Sequence, residues 1–549
     1  MSKKYLIVGG VAAGMSAATR LRRLQETAEI IVFERGPHVS FANCGLPYYL
    51  GGEITDRDEL LVQTPAKLKA RFNLDVRENA EVTAIDSTNQ TIRVQPTTGL
   101  AYTESYDALI LAPGAQPVVP PIPGLSEADN VFTLRNIPDM DAIDAYIAQH
   151  APQTAVVIGA GAIGMEMTES LTHRGLKVQL VDAQDHVLPA LDVEMAPALT
   201  TALQNHGVAL HLGAGVTAIG QHTVTLKDGT TMPADLILMS VGVKPETTLA
   251  QTAGITLDAN TGGISVDDHY QTSVPDIYAV GDAIAVQNQL THKSAQISLA
   301  SPANRQVADI LSGVPAKNQG GIGTAIVRVF DQVAATTGLN ETQAQASGLN
   351  VKMVHTIGKD HAAYYPDAVD MNLKLLFDGE TGALYGAQAV GPRGVDKRID
   401  VLTTAIKAHM TVFDLPELEL SYAPPFGVAK DPVNMLGYVA SNVVLGLSHT
   451  IQWSQLPAAM RDGKTLLDVR DVDEFAGGHF KGAINIPLDE LRDRLDELDP
   501  NVQYIVSCQS GLRSYNAERI LRGHGFKVEN LDGAISLAAP VLPNLITQE

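Results

Sequence analysis

The sequence predicts a multidomain α/β chain: two dinucleotide-binding βαβ units, an α+β segment, and a separate C-terminal α/β domain. Three observations predict it. The chain has 549 residues, several times the usual domain size. A pattern of apolar strand, glycine turn, small-residue helix, second apolar strand and acidic residue occurs twice, from Lys4 and from Thr154. From Trp453 the chain restarts a strand and helix rhythm of its own.

Composition narrows the function classes. With 45% hydrophobic and 18% charged residues the chain is globular, and no apolar run is long enough to cross a bilayer, so no membrane partner is expected. A formal charge of −22 argues against nucleic acid, because phosphate neutralisation needs clustered Lys and Arg, although local basic pockets remain open. The only cysteines are Cys44 and Cys508, which indicates no disulfide framework and suits a reducing cytoplasm. The opening "MSKKYLIVGG" has the lysines and short apolar run of a signal peptide but continues into glycines and an amphipathic helix, so it reads as a first strand. No metal site is assigned.

In the first unit, "KYLIVGGVAAGMSAATRLRRLQETAEIIVFERG", Gly9 permits a tight turn and Gly14 close packing of helix on strand, while Glu34 ends the second strand where it can accept from ribose hydroxyls. "EVTAIDSTNQTIRVQ" then reads as antiparallel strands and the proline-rich "PGAQPVVPPIPG" as a crossover. The second unit has Gly159, Gly161 and Gly164, with Asp182 at the matching strand end. No Arg adjoins Asp182, so repulsion of a 2′-phosphate favours NADH over NADPH. "TSVPDIYAVGDA" reads as a strand entering a turn that returns to the first domain. A mixed α+β segment covers about Gly323 to Leu445.

Over about residues 1–445 these motifs resemble the two-dinucleotide-binding flavoprotein disulfide reductases. The resemblance implies two Rossmann-like domains, an FAD domain over residues 1–118 and 244–322 and an NAD domain over 119–243. It also implies a dimerisation domain over 323–445, and hence a homodimer. Asp282 is implied to contact the flavin's ribityl or pyrophosphate region. Further implied cofactor residues are Gly10, Ala13, Arg35, Asn43 and Val82, then Ala112, Pro113 and Gly114, then Ile163, Glu166, Gly242 and Gly281.

Most such reductases carry two cysteines near the flavin, whereas this chain has Cys44 alone. It follows a polar Ser-Phe-Ala-Asn segment and precedes "GLPYYL", which predicts a helix whose N-terminal amides favour a thiolate. "SFANCGLPYYLGG" resembles the single-cysteine branch that includes coenzyme A disulfide reductase, coenzyme A persulfide reductase, NADH peroxidase and NADH oxidase. Its peroxidases and oxidases carry a histidine in the first glycine loop, where this chain has Ala12. The coenzyme A members use tyrosines of the partner subunit above the cysteine; the matching positions are Tyr364 or Tyr365, and Tyr422, whose phenols can hydrogen-bond a departing sulfur. For coenzyme A, Arg20 and Arg23 lie three residues apart on nearly one helix face, Ser40 and Asn43 flank Cys44, and Asn304 and Arg305 are additional candidates.

Cys508 ends the apolar strand "YIVS" and opens "CQSGLRS", a loop whose successive backbone N–H groups can hold an anionic persulfide, with Arg513 adding charge. From "LLDVRDVDEFAGGHFKGAINIPL" to this loop, the last part of the chain resembles a rhodanese, a sulfurtransferase domain, over 456–549 after a linker at 446–455. Asp468 and Arg470 match its structural motif. The combination implies an NADH-dependent flavoprotein reductase of coenzyme A persulfide, polysulfide or coenzyme A disulfide. The competing expectations are an NADH oxidase or peroxidase, and a redox-sensing sulfur-carrier protein.

Overall fold

The computed structural model describes residues 2–297 and 303–548. The chain divides into two compact units, Met1–Asp185 with His206–Gly323, and His186–Asn205 with Thr324–Glu549.

The first unit contains one sheet plan twice. One parallel sheet runs Ile277–Ala279, Ala108–Leu111, Lys4–Val8, Glu29–Phe33, Asp75–Arg77; the other runs Val131–Phe132, Leu236–Met239, Thr154–Ile158, Lys177–Val181, Ala209–His211. The central strands are apolar on both faces because helices cover them. Each sheet carries a three-stranded antiparallel meander, Ala80–Asp86, Thr91–Pro96 and Tyr102–Ser105 in the first and Val216–Gly220, Thr223–Leu226 and Thr231–Pro233 in the second. The expected return of "PDIYAVGDA" is present, with Ile277–Ala279 pairing in parallel with Ala108–Leu111. The proline-rich crossover is not bare loop: Ala115–Pro117 pairs antiparallel with Val243–Pro245, so the two passages between the sheets brace each other.

The second unit contains a five-stranded antiparallel sheet in the order Thr324–Val329, Gln332–Gly338, Leu384–Gly391, Asp370–Asp378, Val351–Lys359, with the helices Val395–Lys407 and Pro432–Val444 packed on it. It also contains a parallel sheet, Thr450–Ile451, Lys527–Leu531, Gln503–Ser507, Thr465–Asp468, Ile484–Asn485. Two sequence expectations change here. The segment expected as a linker at 446–455 supplies the edge strand Thr450–Ile451, paired with Asn530 and Leu531; a two-residue strand is too short to show a period. The segment His186–Asn205, expected within the second dinucleotide domain, groups with the second unit, where buried Asp192 and Glu194 hold the ammonium of Lys374. Among the described residues no helix is long and apolar enough to cross a membrane.

Candidate functional site

The acid ending the second strand closes each glycine loop. Glu34 accepts from the N–H groups of Gly10 at 2.8 Å and Gly36 at 2.9 Å, and Asp182 from Ala160 at 2.6 Å and Gln184 at 2.7 Å. A Cβ on Gly14 or Gly164 would stand 1.9 Å from the carbonyl oxygen of Gly9 or Gly159, so the helix reaches its turn only with glycine there. A Cβ on Gly161 would meet nothing within 4 Å, which leaves that backbone open to a ligand. Neither helix, Ala12–Leu24 nor Ala162–His173, has a side-chain N-cap, so first-turn N–H groups face outward as an anion site requires. These features fit a dinucleotide in each loop.

Around the first loop the expected residues converge. A Cβ on Gly281 would lie 2.9 Å from the Cβ of Ala13, which sets the Gly281–Asp282 turn against the start of the first helix. The Ala112 N–H donates to Val8, and the Pro113 carbonyl accepts from Arg135 Nη2 at 3.0 Å. Arg135 was not legible in the sequence, because it follows the crossover and no local motif marks it. Burial, then the neighbouring Arg35, pulls its pKa below the usual range. A half-buried cation beside a second one fits an anionic group such as a pyrophosphate. Arg35 lies 3.6 Å from Glu246, and Asn43 Nδ2 donates to the Arg135 carbonyl at 3.4 Å. Gly114 and Gly242 take positive φ, 73° and 116°, beside the paired crossover strands. Val82 packs its side chain into the core, so any nucleotide contact there is through its backbone. Ile163 is exposed on the second loop's helix, and Glu166 accepts from Tyr48 at 3.2 Å.

Cys44 is exposed and unpaired in the turn Asn43–Gly45, which runs directly into Leu46–Leu50. That helix has five residues, so its macrodipole is smaller than the sequence suggests. Ser40, at φ 47°, donates its N–H to Gly10 at 2.8 Å. Beside it a cleft of about 340 Å³ is lined by Ala12, Ser16, Thr19, Ser40, Arg71 and Phe72, among others. The two helix arginines part company. Arg20 is held by Asp309 at 2.6 Å, which neutralises it, whereas Arg23 stays exposed with its guanidinium 5.9 Å from the Phe72 ring centroid. Arg71, exposed at the cleft, is a cation that sequence reasoning missed. On the helix Ala303–Leu311, Asn304 is buried and Arg305 exposed.

In the second unit the tyrosines separate. Tyr364 and Tyr422 are exposed with hydroxyls 3.1 Å apart, and this hydrogen bond raises the pKa of Tyr364. Tyr365 instead packs edge-on against His361.

Cys508 is buried at the end of the central strand Gln503–Ser507. Its sulfur accepts the Gly511 N–H at 3.1 Å and donates to Ser514 Oγ at 3.4 Å, and Ser514 donates to the Gly511 carbonyl at 3.0 Å. Gly511 takes φ 105°, which turns its N–H inward. Arg513 is less free than expected: it forms a two-pronged pair with Glu474 at 2.6 and 2.7 Å, which holds that carboxyl down at about 2. Arg470 is buried against Asp468 and donates to the Gly478 carbonyl, a structural pairing as the sequence implies.

Known proteins agree with this geometry. Residues 3–306 match the pyridine nucleotide-disulphide oxidoreductase family, 324–431 its dimerisation domain, and 452–537 the rhodanese-like domain. A coenzyme A disulfide reductase of Staphylococcus haemolyticus is 37% identical over 452 residues, covering 80% of this chain and all of that protein. The reduced CoADR-RHD protein of Bacillus anthracis superposes with a TM-score of 0.98 at 48% identity, over 100% of this chain and 99% of that one. An NAD-dependent persulfide reductase from A. fulgidus superposes at 0.91 and 37% identity, over 97% and 99%. The chain therefore belongs to the pyridine nucleotide-disulphide oxidoreductases, flavin- and pyridine-nucleotide-dependent enzymes, and carries a rhodanese-like domain at its C-terminal side.

Proposed function

We propose that this protein is an NADH-dependent reductase of coenzyme A persulfide, polysulfide and coenzyme A disulfide, that it works as a homodimer in a reducing cytoplasm, and that Cys508 feeds it sulfur. The observation that carries the reading is the separation of tasks between two unpaired thiols, an exposed Cys44 beside a flavin-type glycine loop and a buried Cys508 inside a ring of hydrogen bonds.

Bound FAD supplies two electrons, drawn from the nicotinamide nucleotide, that return Cys44 to a thiolate. Cys508 takes a sulfane sulfur from a donor as a persulfide, with the Gly511 N–H facing its sulfur, and passes it to the coenzyme A thiol. The Cys44 thiolate then attacks the carrier-bound sulfur of the persulfide. That S–S bond breaks, hydrosulfide leaves, and a Cys44–coenzyme A mixed disulfide forms. Two electrons and a proton release coenzyme A and restore Cys44. The cleft beside Ser40 supports coenzyme A binding: Arg71 and Arg23 offer charge to phosphates and Phe72 a flat apolar wall. Tyr364 and Tyr422, exposed on their own subunit, suit a role above Cys44 of the partner, where a phenol can donate to the leaving sulfur. Asp182 supports NADH, because it disfavours a 2′-phosphate.

The test is anaerobic NADH consumption with coenzyme A persulfide, coenzyme A disulfide, polysulfide or peroxide, with sulfide assayed in parallel. Persulfide-dependent consumption with equimolar sulfide is expected. Cys44→Ser abolishes it, while Cys508→Ser removes only transfer from thiosulfate-like donors. Peroxide preference without sulfide would overturn the reading in favour of the oxidase and peroxidase branch, against which Ala12 in the cleft already argues.

A further inference from the structure

The loop carrying Cys508 is held from behind by a turn that is itself fastened to the antiparallel sheet of the second unit. Ile535 donates its N–H to the Cys508 carbonyl at 3.2 Å and Ser536 to the Gln509 carbonyl at 3.1 Å, while Gln509 Nε2 donates to Ser536 Oγ at 2.6 Å. These donors follow Asp532, Gly533 and Ala534, the last two at φ 67° and 53°. A non-glycine residue in the left-handed region persists only where its surroundings hold it.

The holding group is His355, on the strand Val351–Lys359. Its backbone N–H donates to Asp532 Oδ1 at 3.0 Å, its Nδ1 lies 2.7 Å from Asp532 Oδ2, and its Nε2 lies 3.0 Å from Glu194 Oε1. All three side chains are buried. Gln452 Nε2 also donates to Asp532, at 3.1 Å. Lys374 contacts Glu194, Asp192 at 2.8 Å and Glu341 at 3.2 Å; its ammonium thus occupies the place a metal ion would take among those carboxylates. Both ring nitrogens of His355 face carboxylate oxygens, which only accept, and a neutral imidazole donates from one nitrogen only. The imidazolium alone fills both contacts, and it lowers the excess of the four carboxylates over the single ammonium.

Building on the reading that Cys508 carries sulfur, we propose that His355 is a positioning residue for Cys508: its imidazolium, clamped between Glu194 and Asp532, fixes the Asp532–Ala534 turn and through it the backbone of the Cys508 loop. The clamp ties the state of the sulfur-transfer loop to a group on the sheet of the reductase's dimerisation domain. Burial pulls the His355 pKa down, but Asp532 and then Glu194 outweigh burial and the opposing Lys374, so it is pushed up to about 9. A raised pKa means that the clamp is complete below the ordinary value of 6.5 and is lost as pH rises through about 9.

The experiment uses the full-length protein and two nearly isosteric variants, Asp532→Asn and His355→Gln. Iodoacetamide labelling of Cys508, resolved from Cys44 by peptide mass spectrometry, is followed between about pH 6 and about pH 10, alongside thiosulfate sulfur transfer and NADH-dependent reduction of coenzyme A disulfide. The native protein should show a step in Cys508 labelling near pH 9 beyond thiol ionisation, and both variants should lack it. Sulfur transfer at neutral pH should fall at least about tenfold in each variant, with disulfide reduction unchanged. Variants that keep the native labelling profile, or that lose labelling equally at every pH while disulfide reduction also falls, would overturn the proposal. If native protein transfers no sulfur from thiosulfate, the sulfur-transfer reading fails, while the labelling profile still decides the positioning role.

Discussion

The hydroxyls of Tyr364 and Tyr422, 58 residues apart in the chain, meet at 3.1 Å, whereas Tyr365 turns to His361. Tyr364→Phe and Tyr422→Phe should each lower turnover with coenzyme A persulfide by about 10²-fold, the scale of a lost proton donor, and Tyr365→Phe should leave it within a factor of about two. Stopped-flow release of hydrosulfide from pre-reduced enzyme measures this; a Tyr365→Phe defect equal to that of Tyr364→Phe would reverse the assignment. The hydrogen bond to Tyr422 raises the pKa of Tyr364, so Tyr364 stays a donor across the neutral range.

Glu474 neutralises Arg513, the cation that the Cys508 loop itself carries. Glu474→Gln should free Arg513 and speed Cys508 alkylation at neutral pH severalfold, roughly two to five times, and Arg513→Met should slow it. The pair is also acid-sensitive. A carboxyl held down at about 2 contributes stability above its unfolded value of 4.5, and that contribution is lost as pH falls through about 2. Acid titration of the native protein against Glu474→Gln, read by circular dichroism, should therefore show the difference between them shrinking with falling pH.

Asp182 closes its own glycine loop, accepting from the Ala160 and Gln184 N–H groups. Asp182→Ser keeps a short acceptor for the Ala160 N–H and removes the charge, so the proposed preference for NADH over NADPH should narrow by about tenfold, mainly in KM. Steady-state kinetics with both nucleotides checks it, and an unchanged ratio would place the discrimination elsewhere.

Lys374 is fully buried among Asp192, Glu194 and Glu341. Lys374→Met leaves buried Asp192 without its cation and Glu194 with His355 alone, and should destabilise the second unit by about 3–5 kcal/mol. Urea unfolding followed through Trp453, the single tryptophan, reports on that unit directly. A midpoint unchanged from the native protein would show that the carboxylates find other partners.

Much of the chemistry lies in short stretches. The glycine spacing at Gly9–Gly14 and Gly159–Gly164 marks both loops because a Cβ on Gly14 or Gly164 would collide with the turn that precedes it, and this constraint is purely local. Cys44 and Cys508 were legible for the same reason, since each sits in a turn whose neighbours define its surroundings. The helix after Cys44 was legible but its length was not; it stops at Leu50, where Gly51 and Gly52 follow.

The sequence alone therefore determined the doubled dinucleotide architecture, the two thiols and their division between a reductase and a sulfurtransferase-like domain, since these rest on residues within a few positions of one another. Only the tertiary structure decided which tyrosine joins Tyr422, that Arg20 is neutralised by Asp309, that Arg135 lies against the Pro113 carbonyl, and that Glu194, His355 and Asp532 form one buried chain. Those partners are separated by 22 to 289 positions in sequence. Burial strengthens the electrostatics of the Glu194–His355–Asp532 chain, and only the folded backbone brings all of these groups within hydrogen-bonding distance.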